Sequence, residues 1–425
     1  MTNEYRPRIA DKLLAEKLEG KGAVLIEGAK WCGKTTTAER VARSVQYMSE
    51  PGQTERNMQL ATINPKLLLS GDCPRLIDEW QLAPQLWDAV RFEVDHRGGQ
   101  GLFILTGSSV PADMSKVLHS GTGRFAWLRM RPMTLWESGE STGEVSLGSL
   151  FNGQREVEGI SELNLERVAF ITCRGGWPSA TFMKDNVALE QAFDYIAAVE
   201  HADMSRADGI PRDPSRIHRF LRSYARHQGA QANYSTIKAD MATNGEKTMD
   251  EATIASYINS LKKIFVVEDV EAWNPNLRSK TAIRTSDTRY FTDPSIATAA
   301  LGLGPADLMN DLTTFGLMFE TLCIRDLRVF AEAIHGTVYH YRDKAGLECD
   351  AVVHLRDGRY GLIEIKLGGD MLINDGVKTL TTLANKIDTS KMNEPSFLMV
   401  LTATGKYAYR RTDGICVVPV TCLKE

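Results

Sequence analysis

The sequence predicts an α/β chain: a parallel sheet with flanking helices, then a helical middle region, then a second, smaller α/β unit. Three stretches carry that expectation. An apolar run, Ala23–Glu27, ends in the Gly-rich octet GAKWCGKT (residues 28–35), and a helix-forming segment follows it. A second apolar run, residues 74–77, ends in the carboxylate pair Asp78 and Glu79. A third, Tyr360–Lys366, ends in Glu-x-Lys and lies behind an Asp-bearing run, Glu348–Leu355.

Taken in order, residues 10–18 are expected as a helix, with Ile9, Leu13, Leu14 and Leu18 along one side. The octet is the G-x-x-x-x-G-K-[ST] phosphate-binding loop in the setting it requires, strand before and helix (35–45) after. Gly28 and Gly33 let the backbone turn tightly, so the N–H groups of Ala29, Lys30, Trp31, Cys32 and Thr36 can converge on phosphate oxygens. Lys34 reaches the β- and γ-phosphates, and the Thr35 hydroxyl can ligate Mg²⁺. The implied cofactors are ATP and Mg²⁺, on a P-loop NTPase sheet. Residues 49–57 are polar and read as a surface loop. Asp78 would hold the Mg²⁺ and Glu79 would polarise the attacking water, a doublet that suits hydrolysis better than a kinase relay. Residues 102–105 form a continuous apolar run expected as a doubly buried strand. Thr106, at its end, is the candidate sensor of the γ-phosphate, against the alternative of an ordinary Ser/Thr turn. Residues 121–125 form a turn that carries Arg124 and precedes another strand, 126–130.

Through these motifs the chain resembles the AAA-type ATPases of bacteria and archaea that carry a C-terminal restriction-endonuclease-like domain of unknown function. GAKWCGKT, LIDEW, LTGSS, the pair Gly123-Arg124 and Gly175-Gly176-Trp177-Pro178 carry the resemblance. In ring-forming ATPases an Arg in such a turn reaches the neighbouring subunit's phosphate. The resemblance therefore implies Arg124 as an arginine finger in a homo-oligomer, with a plain surface Arg as the alternative.

The implied divisions are an ATPase core over 1–150, a helical lid and linker over 151–200, a winged-helix domain over 201–309 and the endonuclease-like domain over 310–425. Residues 137–159, rich in Gly, Ser and Glu, read as a flexible linker. From residue 205 the balance turns basic, with Arg212, Arg216, Arg219 and Arg226 at helical spacing. Helices over 235–241 and 250–265, a strand at 265–267 and a basic wing (Arg278, Lys280, Arg284, Arg289) complete a winged-helix pattern that would meet DNA, with Lys247, Lys262 and Lys263 in support. The alternative is a winged helix used only as scaffold.

The last region resembles the PD-(D/E)xK nucleases, and its register can be worked out. A three-residue turn at Arg356-Asp357-Gly358 pairs Leu355 with Arg359 and sets Asp350 opposite Glu364, on one face with Lys366. Two carboxylates, joined by Glu320 from the preceding helix, suit Mg²⁺ or Mn²⁺, and Lys366 would orient the attacking water.

Composition limits the rest. At 425 residues, with 43% apolar and 24% charged residues, the chain is an ordinary globular protein of two to four domains. The net charge of −4 confines any DNA-binding surface to local patches. The seven cysteines form no C-x-x-C pair, which argues against zinc and disulfide frameworks and for a cytoplasmic setting. No run suits a membrane span. The function expected is a Mg²⁺-dependent ATPase acting on DNA. The rival is an ATP-dependent switch acting on a protein partner, with the nuclease-like domain as scaffold.

Overall fold

In the computed structural model, which describes residues 5–111, 115, 117–230, 234–241, 249–275 and 286–425, the N-terminal apolar runs become one parallel sheet. Its strands are β1 (Ala23–Glu27), β2 (Ser44–Tyr47), β3 (Arg75–Asp78), β4 (Phe103–Gly107) and β5 (Phe125–Arg129). They stand in the order β2-β3-β4-β1-β5. Ala23, Val24, Leu76, Ile77, Ile104 and Leu105 are fully buried because helices cover both faces, as continuous apolar strands require. The phosphate-loop strand β1 lies between β4 and β5, so the chain reverses direction across the sheet there. Ligands of such sheets bind at that crevice, beyond the carboxyl ends of the strands.

Two local expectations change. The helix after the octet spans only Lys34–Glu39, because residues 44–47, with Val45 and Tyr47, leave it to pair with β3 as the sheet's edge. The expected loop over 49–57 gives way to the helix Thr54–Ile63, which buries only Asn57 and Ala61. So narrow a buried face leaves almost no periodic signal.

The expected linker is also overturned. Thr134 and Glu137 close a reciprocal cap on the short helix Leu135–Ser138. Beyond it, Leu147, Leu150, Phe151 and Val157 are buried. This segment supplies β6 (Val145–Ser146) and β7 (Gly159–Ile160), and β7 enters the C-terminal sheet. The other strands of that sheet are β8 (Gly336–Arg342), β9 (Glu348–Leu355), β10 (Tyr360–Lys366), β11 (Phe397–Thr402), β12 (Tyr407–Arg410) and β13 (Cys416–Pro419), in the order β7-β12-β13-β11-β10-β9-β8. A last strand, β14 (Leu423–Lys424), runs parallel to β6. The linker composition was misleading because its apolar residues are spent on distant partners.

Side chains alternate across the C-terminal sheet. Ala351, Val353, Ile363 and Leu401 join a core with Phe319 and Leu327 of the helix Leu312–Ala333. Val352, Leu362, Val400 and Val417 meet Ile373, Leu380 and Leu383 of the helix Asp370–Lys386. The first of these cores is continuous from Ile9 through Phe220 to Leu423.

Between β7 and β8 the chain forms the helices Leu165–Arg174, Asp185–Ala198, Pro214–Arg226, Tyr234–Met241 and Glu251–Lys263. Isolated antiparallel bridges follow, Val267 to Phe291 and Val270 to Thr288, where a strand over 265–267 was expected. Arg212 is not part of the basic stripe. It precedes the helix, and its side chain is buried and held by Asp208 at 2.6 Å and by Ser256 and Ser260. Lys262 pairs with Asp269 at 2.5 Å. Lys247, Arg278, Lys280 and Arg284 lie outside the described residues. No described helix is long and apolar enough to cross a membrane, and all seven cysteines are free.

Candidate functional site

The phosphate loop bends where glycine is required. Gly28 (φ 158°) passes so close to the Met130 carbonyl that a Cβ would stand 2.0 Å from its oxygen, and Gly33 (φ 98°) starts the helix Lys34–Glu39. Cys32 is buried, while Trp31 is half-exposed in the left-handed region (φ 65°). Arg8 braces the loop from outside, its guanidinium donating to the carbonyls of Cys32 (2.9 Å) and Arg131 (2.8 Å) and pairing with Glu137 (3.0 Å). The Lys34 ammonium lies inside the loop, donating to the carbonyls of Gly28 (2.9 Å) and Ala29 (2.8 Å). Thr36 is exposed on the first turn of the helix.

The carboxylate pair ends β3 beside this loop. Two hydroxyls donate to the same Asp78 oxygen, Thr35 at 2.7 Å and Thr106 at 2.6 Å. The candidate sensor Thr106 thus orients the carboxylate that sequence reasoning assigned to Mg²⁺. Glu79 turns into the left-handed region (φ 57°), a conformation costly for a residue with a Cβ. Its carboxylate accepts from Ser108 at 3.0 Å and from Gln81. Ser108 stood within the LTGSS stretch, yet nothing in the sequence distinguished its role from that of Thr106. Arg124 lies at the opposite end of the sheet, just before Phe125, which pairs with Ala23 at the start of β1. It is exposed and bound to Asp95 at 2.7 Å.

The C-terminal cluster assembles in the expected register. Gly358 is left-handed (φ 89°), the Leu355 amide donates to the Arg359 carbonyl at 2.8 Å, and Ile363 stands opposite Ala351. The same register, carried one step further, points Asp350 at Glu364, and Lys366 joins them. Lys366 pairs with Glu364 at 2.7 Å and with Asp350 at 3.1 Å, while Asp350 also accepts the Ile365 amide at 2.7 Å. Glu320 accepts a hydrogen bond from Tyr290, a buried phenol that sequence reasoning missed because it comes from the middle region. Burial, then the Asp350 charge, pushes both Glu320 and Glu364 up to about 8. Against its own burial, Lys366 is raised by Asp350 and Glu364. No group of three or more His, Cys, Asp or Glu side chains among the described residues is disposed to hold a metal ion. The three carboxylates assigned to one divalent ion are therefore not arranged as its ligands here. Lys366 lies between Asp350 and Glu364, and burial favours the protonated forms of Glu320 and Glu364.

Known proteins resemble this chain region by region. Residues 20–138 match a family described as an AAA domain. The chain carries a P-loop ATPase. Residues 165–307 and 315–423 match two families described as domains of unknown function (DUF8612 and DUF4143). Uncharacterized proteins of Mycobacterium tuberculosis and Mycobacterium bovis are each 22% identical over 363 residues, covering 84% of this chain and 73% of their own. Among solved structures, the Walker-type ATPase of Pyrococcus abyssi covers 71% of this chain and 99% of its own at 14% identity and a TM-score of 0.42. The Hef helicase domain of Pyrococcus furiosus covers 94% and 90% at 10% identity and a TM-score of 0.21.

Proposed function

We propose that this ATPase is Mg²⁺-dependent and drives a winged-helix and nuclease-like module on DNA. The observation that carries the first half is the shared Asp78 oxygen, which holds the Thr35 and Thr106 hydroxyls at the mouth of the phosphate loop. Those oxygens suit Mg²⁺, which would be held by Thr35 and Asp78 and would neutralise phosphate charge. Lys34 would exchange its loop carbonyls for phosphate oxygens. Glu79, aimed by Ser108, would take the proton of the attacking water. The second half is supported by the hairpin register that gathers Asp350, Glu364 and Lys366. ATP turnover and DNA nicking, each measured with and without the other substrate, test the whole. DNA-stimulated hydrolysis is the expected result, and hydrolysis indifferent to every DNA form removes the DNA half.

A second reading has its own support. Lys366 already engages both Asp350 and Glu364. A site whose carboxylates are balanced in that way can serve as scaffold while ATP controls a protein partner.

A further inference from the structure

The phosphate loop carries a second lysine whose side chain the ATPase assignment leaves without a role. Lys30 stands midway between Gly28 and Gly33 and is 44% exposed, and its ammonium lies 2.5 Å from the carboxylate of Asp203. Asp203 is 8% exposed, and Lys30 is its ion-pair partner among the described residues. The two residues are 173 positions apart. Asp203 closes a single π-helical turn, Val199–Asp203, that extends the helix Asp185–Ala198. Such turns insert one residue and re-aim a side chain, often at functional sites. The neighbouring Trp31 lies edge-on to Tyr195 of the same helix at 5.7 Å, and Tyr195 stacks on Trp177 at 4.5 Å. Two consecutive residues of the loop therefore rest on one helix and its π turn.

We propose that Asp203 is a positioning residue for ATP: it fixes Lys30 so that one ammonium bridges the Asp203 carboxylate and the bound triphosphate. An ammonium has three N–H donors. One is directed to Asp203, and the exposed side of Lys30 leaves the others for phosphate oxygens. A buried carboxylate that lost its cation would be costly, so the phosphates bind to the pair rather than pull it apart. The bridge ties the nucleotide to the π turn. The same π turn continues the tie into the middle region, where Glu200 meets His218 at 2.8 Å and the Met204 carbonyl accepts from Arg212 at 2.9 Å. A triphosphate carries one more negative charge than a diphosphate, so the bridge favours ATP over ADP.

This inference rests on the ATP-binding reading, and the experiment separates the two. ATP and ADP dissociation constants are measured by calorimetry on the full chain and on Asp203→Asn, Lys30→Gln, their double variant, Asp203→Glu and Lys34→Ala. Each single variant of the pair is expected to weaken ATP binding on the order of tenfold, the weight of one charge-assisted hydrogen bond. The double variant is expected to bind no worse than the weaker single, ADP to change less than ATP, and Asp203→Glu to recover part of the loss. Melting curves identify variants that fail to fold, and Asp203→Glu then carries the test. Additive losses in the double variant, or unchanged ATP affinity in folded Asp203→Asn, overturn the bridge while the ATPase reading stands. A wild-type chain that binds no ATP overturns both.

Discussion

The two carboxylate clusters of this chain solve one electrostatic problem in different ways. At the ATP site, Asp78 is steadied by two neutral hydroxyls, and Lys34 spends its charge on backbone carbonyls within the loop. Lys34 there meets neutral carbonyls rather than a carboxylate, so a polyanion can claim it. At the C-terminal cluster, Lys366 is clamped between Asp350 and Glu364, and burial raises Glu320 and Glu364 until protons compete with any metal. The first site is held ready for exchange. The second is neutralised from within, and a ligand there has to displace what already balances it.

The largest expected effect falls on the first site. Lys34→Ala removes the ammonium enclosed by the loop, and tight binding of labelled ATP should disappear. Retained affinity would mean that the loop is not the nucleotide site. Next, Glu79→Gln should bind ATP normally while turnover falls about 100-fold or more, since an amide cannot take the proton of water. Unchanged turnover would move the base elsewhere.

The second site is probed through stability. Lys366→Met strands Asp350 beside two crowded carboxyls and should cost about 3 kcal/mol at pH 8.5, read by denaturant titration. The loss should shrink at pH 6, where Glu320 and Glu364 keep their protons. The sign follows from the raised values. Between the ordinary Glu range and about 8 the folded chain holds protons that the unfolded chain has released. The contribution of these groups is therefore fully present below that range and is lost as pH rises through about 8. Melting temperature should fall across that window, and Glu364→Gln should flatten the fall. An identical profile in the variant would place the titrating groups elsewhere.

Metal binding sharpens the contrast further. In an Asp78→Asn background, Mn²⁺ should leave the melting temperature unchanged, because Lys366 already engages Asp350 and Glu364 and the carboxylates are not arranged around an ion. A rise that Glu364→Gln abolishes would mean that the ion displaces that pairing. The smallest effect is expected from Arg124→Ala, an exposed residue paired with Asp95, which should leave the melting temperature unchanged. Slower hydrolysis confined to an assembled oligomer would support its action on a neighbouring subunit, and equal loss in a monomer would exclude it.

What the sequence determined by itself is what short-range chemistry dictates. The phosphate loop needs Gly28, Gly33, Lys34 and Thr35 at set spacing, and each is read from eight consecutive residues. The hairpin from β9 to β10 was legible for the same reason: a three-residue turn ending in Gly358 sets the register, and register sets the face. What only the tertiary structure decided involves partners far apart in the chain. Residues 137–159 read as a linker because strands of two residues have no period, yet β7 finds β12 about 250 positions later. Arg131 pairs with Glu268 at 2.6 Å and Glu332 at 3.2 Å, joining the end of β5 to the middle region and to the helix Leu312–Ala333. Against its burial, Glu268 is held well below the usual carboxylate range by Arg131 and Arg328. Asp203 on Lys30 and Tyr290 on Glu320 belong to the same class. A charge carries no mark of its partner in the sequence, because pairing is set by burial and distance after the chain has folded.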